Sequence, residues 1–158
     1  DRVIIPSPRV STYDLQPEMS APALTHTLLE RLINPGYDLA VVNFPNPDMV
    51  AHTGNLPATI TACATIDREL GQIVPAVVNR GGAVIITADH GNAEELINLH
   101  TGAVDTEHSN NPVPFILISQ NQDLPHQLPQ GILADVAPTI LKLLNLPQPP
   151  DMTGRPLI

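Results

Sequence analysis

The stretch Gly81–Glu95, GGAVIITADHGNAEE, joins a buried-strand pattern directly to paired polar side chains. Ala83, Val84, Ile85 and Ile86 form a short continuous apolar run, the composition of a strand covered on both faces in an α/β sheet. Thr87, Ala88, Asp89, His90 and Gly91 follow where such sheets carry their chemistry, because loops there converge on a crevice held by a rigid scaffold. An adjacent carboxylate and imidazole can ligate one divalent metal or be shared between two. Gly91 suits a backbone with φ above zero or close approach by another segment. Read alone, the pair has a second interpretation, in which Asp89 caps a following helix and His90 is a surface loop residue.

Upstream, Tyr37–Asn43 (YDLAVVN) reads as another buried strand, followed at once by FPNPDMVAHTG. Asp48 and His52 are four residues apart, so a helical turn opened by Pro47 puts both on one face with their side chains adjacent. The alternative makes Asp48 an early-turn helix residue satisfied by the dipole and His52 a C-cap. Downstream, Val113–Ser119 (VPFILIS) reads as a further buried strand with prolines at its entry. His108 lies just before it, close enough in sequence to swing towards the same crevice.

Helices are expected between these strands. Residues 22–33 carry Leu24, Leu28, Leu29 and Leu32 as an apolar stripe, with Pro22 in the first turn and Asn34, Pro35 and Gly36 as the stop. Residues 56–80 form a long amphipathic pattern through Ile60, Cys63, Ala64, Ile66, Leu70, Ile73, Val74, Val77 and Val78, interrupted or kinked at Pro75 and ended by Gly81 and Gly82. A short helix is expected over 92–99, a loop over His100–Ser109, and a final helix from about Leu133 to Leu144. Val3–Ile5 reads as a short strand, and Pro156–Ile158 as a possible apolar edge. Arg9, with Ser7, Ser11 and Thr12, lies in an irregular Pro-broken loop and is either an anion-binding spot or ordinary surface.

The chain has 158 residues, 42% of them hydrophobic, enough for one domain with a sizeable core. A net charge of −9 with no basic run disfavours a nucleic-acid partner or an anionic membrane. The single cysteine, Cys63, cannot form an intrachain disulfide and reads as a small buried hydrophobe; its solitude fits a reducing, cytoplasmic setting. No apolar run is long enough for a membrane helix, and no leader pattern is present. The chain begins at Asp1 with a strand-like segment, so a truncated or processed chain is expected. A sheet with missing neighbours can self-associate through its edge.

Independent loops rarely bring Asp-xxx-His, Asp-His and a further His to one end of a sheet by chance. Three imidazoles with two carboxylates suit manganese, zinc or cobalt better than magnesium or calcium, which prefer all-oxygen surroundings. The chain offers no nucleophile elbow, no phosphate-cradling Gly loop and no dinucleotide fingerprint.

The segments PSPRVSTYDLQPEMSA, NFPNPDMVAHTG, ITADHGNAEE and HSNNPVPFIL, in this order, resemble the C-terminal portion of cofactor-independent phosphoglycerate mutase, a family of the alkaline phosphatase superfamily. The resemblance covers nearly all 158 residues, DLQPEMSA and TGRPLI included. It implies a three-layer α/β/α fold, of which residues 1–158 are the C-terminal part of the metal-binding phosphatase-like domain. The implied reaction interconverts 3-phosphoglycerate and 2-phosphoglycerate through a phosphoserine, with two divalent ions, usually manganese, and a monomeric parent enzyme. Asp48, His52 and His108 correspond to one metal's ligands, and Asp89 and His90 to ligands of the second. Arg9 falls where the family commonly has a lysine near the transferring phosphoryl group, and Asp105 where it often has a second histidine. The family's nucleophilic serine, a further aspartate ligand and an inserted transferase domain have no counterpart in this chain, so the fragment alone is expected to be inactive. The alternatives are another metal-dependent phosphatase or phosphopentomutase of the same superfamily, and a non-catalytic metal-binding domain.

Overall fold

The computed structural model describes residues 1–33, 36–98 and 101–158. The helix stop at Asn34 and Pro35, and Leu99 and His100 in the expected helix and loop, lie outside the described residues. Four helices are described, α1 (Ala21–Ile33), α2 (Asn46–Ala51), α3 (Leu56–Val78) and α4 (Val136–Leu143), with two strands, β1 (Ala83–Thr87) and β2 (Phe115–Ser119).

The packing centre lies where α2 crosses α3. Val50 of α2 and Ala58 and Ala62 of α3 are buried with Met19, and Tyr13 and Met49 pack against them. Small residues on α3 allow this close approach, and the DLQPEMSA loop fills the remaining space with Met19. Asn46, fully buried at the start of α2, donates from Nδ2 to the carbonyls of Pro17 (2.9 Å) and Glu18 (2.8 Å), which fixes that loop to the helix. Asn55 caps α3 by accepting from the Ala58 N–H at 3.2 Å, and Pro57 sits in the first turn, where no donor is lost. Pro75 lies inside α3 without ending it.

β1 and β2 pair antiparallel, Ala83 opposite Ser119 and Thr87 opposite Phe115. The end of β1 therefore lies beside the start of β2. That register brings the loop after β1, with Asp89 and His90, next to the loop before β2, with His108. An isolated bridge between Gly91 and Ser109 extends the pairing. α1, α2 and β1 all pack on α3.

Several expectations are corrected. Val3–Ile5, Tyr37–Asn43 and Pro156–Ile158 are not strands, because a strand needs a ladder partner and none of the described residues pairs with them. Tyr37, Leu39 and Val41 are exposed, Val41 at 84%. The described sheet has two strands rather than three or four, and β1 is only half-covered in its middle. The described part of the expected 92–99 helix, residues 92–98, gives a 3₁₀ turn at Ala93–Glu95 and a bridge from Ile97 to Val104 instead. On α3 the buried stripe is Ala58, Ala62, Thr65, Glu69 and Ile73, whereas Ile60 and Cys63 face solvent. The apolar residues there mark one helix face, but the neighbouring elements cover the face of small and polar side chains.

Asp135 closes the C-terminal region. It accepts from the backbone N–H of Ile132 (2.9 Å) and of Arg155 (2.8 Å), and the Thr139 hydroxyl accepts from the Leu157 N–H at 3.0 Å. The tail is thereby docked on α4 with Leu157 buried.

Candidate metal centre

Asp48 and His52 come together as their spacing predicts. Pro47 opens α2, and the His52 N–H donates to the Asp48 carbonyl at 3.0 Å, so the two side chains stack on one face at the helix C-terminus. His52 is also the C-cap, so its place beside Asp48 and its place at the end of the helix coincide. Gly54, with φ +70°, ends the turn and donates to the Ala51 carbonyl at 2.8 Å. Its missing side chain also leaves room for Val104, since a Cβ there would lie 2.6 Å from Val104 Cγ1. The Val104–His108 segment thus lies directly over the end of α2.

That contact delivers two groups. The Thr106 carbonyl lies 2.8 Å from His52 Nδ1, and His108 Nε2 lies 3.2 Å from Asp48 Oδ1. His52 Nε2 is 3.2 Å from the same carboxylate oxygen and 3.1 Å from His108 Nε2. The donor atoms of Asp48, His52 and His108 all lie within 4.8 Å of one another.

The chemistry of this donor set fits a divalent cation. A carbonyl only accepts, so His52 Nδ1 carries the proton facing Thr106, and in a neutral ring Nε2 presents its lone pair to the cluster. A carboxylate oxygen and imidazole nitrogens then point at a common space, an arrangement relieved by protons or by a cation. The Thr106 contact is the kind of outer hydrogen bond that fixes a ligating imidazole's tautomer and ring orientation. One carboxylate and two imidazoles leave coordination positions open for water or substrate.

His90 stands against this group without entering it. Its ring stacks on His108, centroids 3.7 Å apart and planes 20° from parallel. Asp89 is directed to solvent, its side chain 88% exposed and 3.6 Å from His90 Nε2. Arg9 is exposed and makes no hydrogen bond or ion pair among the described residues.

Sequence reasoning missed Asn92, Glu94, Ser109 and Asn111. Asn92 is buried and donates from Nδ2 to Asp48 Oδ1 at 2.8 Å. The Glu94 carboxylate accepts from the Ser109 hydroxyl, from Asn111 Nδ2 (3.0 Å) and from the Asn92 N–H (2.9 Å). The Ser109 hydroxyl, more than any other contact, holds the Glu94 carboxyl down at about 2. Gly91 is required by close approach, since a Cβ there would meet Ser109 Oγ and Glu94 Oε1. The signal available was the run GNAEE after Asp89-His90, whose partners in other segments, Asp48, Ser109 and Asn111, lie 15 or more residues away.

The family model described as the Metalloenzyme superfamily matches residues 1–148. The chain belongs to the Metalloenzyme superfamily. Among curated relatives, it is 52% identical to a 2,3-bisphosphoglycerate-independent phosphoglycerate mutase of Rhodopseudomonas palustris, over 100% of this chain and 31% of that protein. It is 54% identical to one of Cereibacter sphaeroides over the same shares. A crystal structure of Leishmania mexicana phosphoglycerate mutase, determined at low cobalt concentration, superposes with a TM-score of 0.81 at 31% identity, covering 96% of this chain and 30% of that one. The chain spans about a third of the length of the curated relatives it matches, at 31% of each of these two. Membership of the superfamily agrees with an α/β fold and with divalent-metal use, and Asp48, His52 and His108 are a group whose donor atoms lie close enough to share one ion.

Proposed function

We propose that this chain is the C-terminal part of the metal-binding domain of a cofactor-independent phosphoglycerate mutase, which interconverts 3-phosphoglycerate and 2-phosphoglycerate through a phosphoserine in the cytoplasm. The observation that carries the reading is the convergence of Asp48 Oδ1, His52 Nε2 and His108 Nε2 on one space, with His52 oriented by the Thr106 carbonyl. The names of the relatives support the choice of reaction.

In this reading Asp48, His52 and His108 hold one divalent ion, with manganese favoured and zinc, cobalt or magnesium as alternatives. Asp89 and His90 supply part of a second set, completed by residues outside this chain. Bound ions supply positive charge that polarises a phosphoryl group and favours an ionised serine hydroxyl. Arg9 contributes a fixed positive charge and a planar fork of donors for phosphoryl oxygens, and its guanidinium has no competing carboxylate among the described residues. The nucleophilic serine and the groups that hold glycerate come from elsewhere in the longer protein, so the 158-residue chain alone does not turn over.

Phosphorus NMR of the full-length protein with 3-phosphoglycerate and manganese tests this. The expected result is 2-phosphoglycerate formation that falls to background in Asp48→Ala. Release of inorganic phosphate from simple phosphomonoesters, without interconversion of the phosphoglycerates, would replace the mutase reading with a phosphatase.

A further inference from the structure

We infer that Asn92 is a positioning residue of the metal centre, whose carboxamide holds the Asp48 carboxylate at the point where His52 and His108 converge. This inference rests on the proposed metal-binding role of that triad.

Asn92 is only 4% exposed, and its Nδ2 lies 2.8 Å from Asp48 Oδ1, the same oxygen that both histidine nitrogens face. The terminal torsion of an aspartate is soft, so helix geometry alone leaves the carboxylate free to turn. A fixed N–H donor on the shared oxygen removes that freedom. Nδ2 also lies 3.5 Å from His52 Nε2, so the amide borders two of the three ligand groups.

The orientation of the amide has a cost that identifies its role. With the NH2 end on Asp48, Asn92 Oδ1 is buried and has no hydrogen-bond partner among the described residues. Buried acceptors are rarely left unpaired. Turning the amide over would set its oxygen against the carboxylate oxygen, acceptor against acceptor, so contact with Asp48 decides the orientation. The unpaired oxygen is then available to a donor that arrives with the occupied site or with the rest of the protein.

Asn92 is itself held on both sides. Its N–H donates to Glu94 Oε2 at 2.9 Å, and its carbonyl accepts from the Glu95 N–H at 3.0 Å. The other Glu94 oxygen takes the Ser109 hydroxyl and Asn111 Nδ2, while the Ser109 N–H donates to the Gly91 carbonyl at 2.9 Å. One carboxylate therefore ties Asn92, the residue after Gly91, to Ser109, the residue that follows His108. Asn92 completes the link from that tie to Asp48 on α2, so the loop after β1 joins the two segments that carry Asp48, His52 and His108.

The test titrates manganese into the metal-free full-length protein by calorimetry and records thermal unfolding of the metal-free form, for wild type, Asp48→Ala, Asn92→Leu and Asn92→Ala. Loss of outer hydrogen bonds to metal ligands typically lowers affinity by about 10–100-fold. Both Asn92 variants are expected to weaken the site abolished in Asp48→Ala by that factor, with the metal-free Tm unchanged or higher because the unpaired acceptor is gone. Wild-type affinity in the Asn92 variants, with binding still lost in Asp48→Ala, would overturn the inference and leave the metal reading standing. A lowered Tm with unchanged affinity, or failure of both variants to fold, would overturn it in favour of a purely structural role. Unchanged binding in Asp48→Ala would overturn the metal reading itself.

Discussion

His52 connects local sequence to long-range structure. Its spacing from Asp48 is set by one helical turn, whereas its ring orientation depends on the carbonyl of Thr106, 54 residues away. That contact depends in turn on Gly54, where φ is +70° and Val104 occupies the space a side chain would take. Gly54→Ala should cost about 1–2 kcal/mol for the left-handed backbone, plus displacement of Val104. Because the displaced segment carries Thr106 and His108, manganese affinity should fall together with the urea midpoint. A lowered midpoint with unchanged affinity would show that the segment reseats without this contact. The Asp48–His52 pair was legible because a four-residue spacing has one meaning on a helix. Asn92 and Thr106 were not, because an asparagine in a polar run and a backbone carbonyl carry no periodicity, and their partners come from distant segments.

Among the elements, α2 is short, and its position is set from outside. Asn46 fastens it to the DLQPEMSA loop, and Val50 anchors it on α3. The antiparallel register of β1 and β2 places His90 and His108 at one end, which permits their stacking. Helix bounds followed the sequence closely for α1 and α3, whose N-terminal prolines and long periodic runs are strong local signals. The buried face of α3 did not, because burial is decided by what packs alongside, and there the partners favoured Ala58, Ala62 and Thr65. At α4, the Arg155 N–H, followed by that of Ile132, holds the Asp135 carboxyl below its ordinary value of 3.8. A depressed carboxyl pKa stabilises the fold above the unfolded value and loses that contribution as pH falls through the folded one. Wild type should therefore be more stable than Asp135→Asn at pH 7, with the gap closing as pH drops below about 4. A gap that stays constant down to pH 2 in denaturation curves would show that the carboxylate charge does not secure the tail.

At the scale of the molecule, apolar segments remain without strand partners among the described residues. Val3 and Ile4, and Tyr37, Leu39 and Val41, are exposed, although their composition reads as strand. Pattern shows which residues suit a sheet but not whether the neighbours that complete it belong to the same stretch of chain. The chain covers about a third of its curated relatives, as its 31% shares show. Within the described residues, the cluster of Asp48, His52 and His108 is nonetheless assembled from α2, its C-cap and the segment preceding β2, with Asn92 and Glu94 linking them. The most direct test of the account is anomalous diffraction at the manganese edge from crystals of the full-length protein grown with manganese. A peak within bonding distance of Asp48 Oδ1, His52 Nε2 and His108 Nε2 is the predicted result. Manganese bound elsewhere, with no peak between those three atoms, would contradict it.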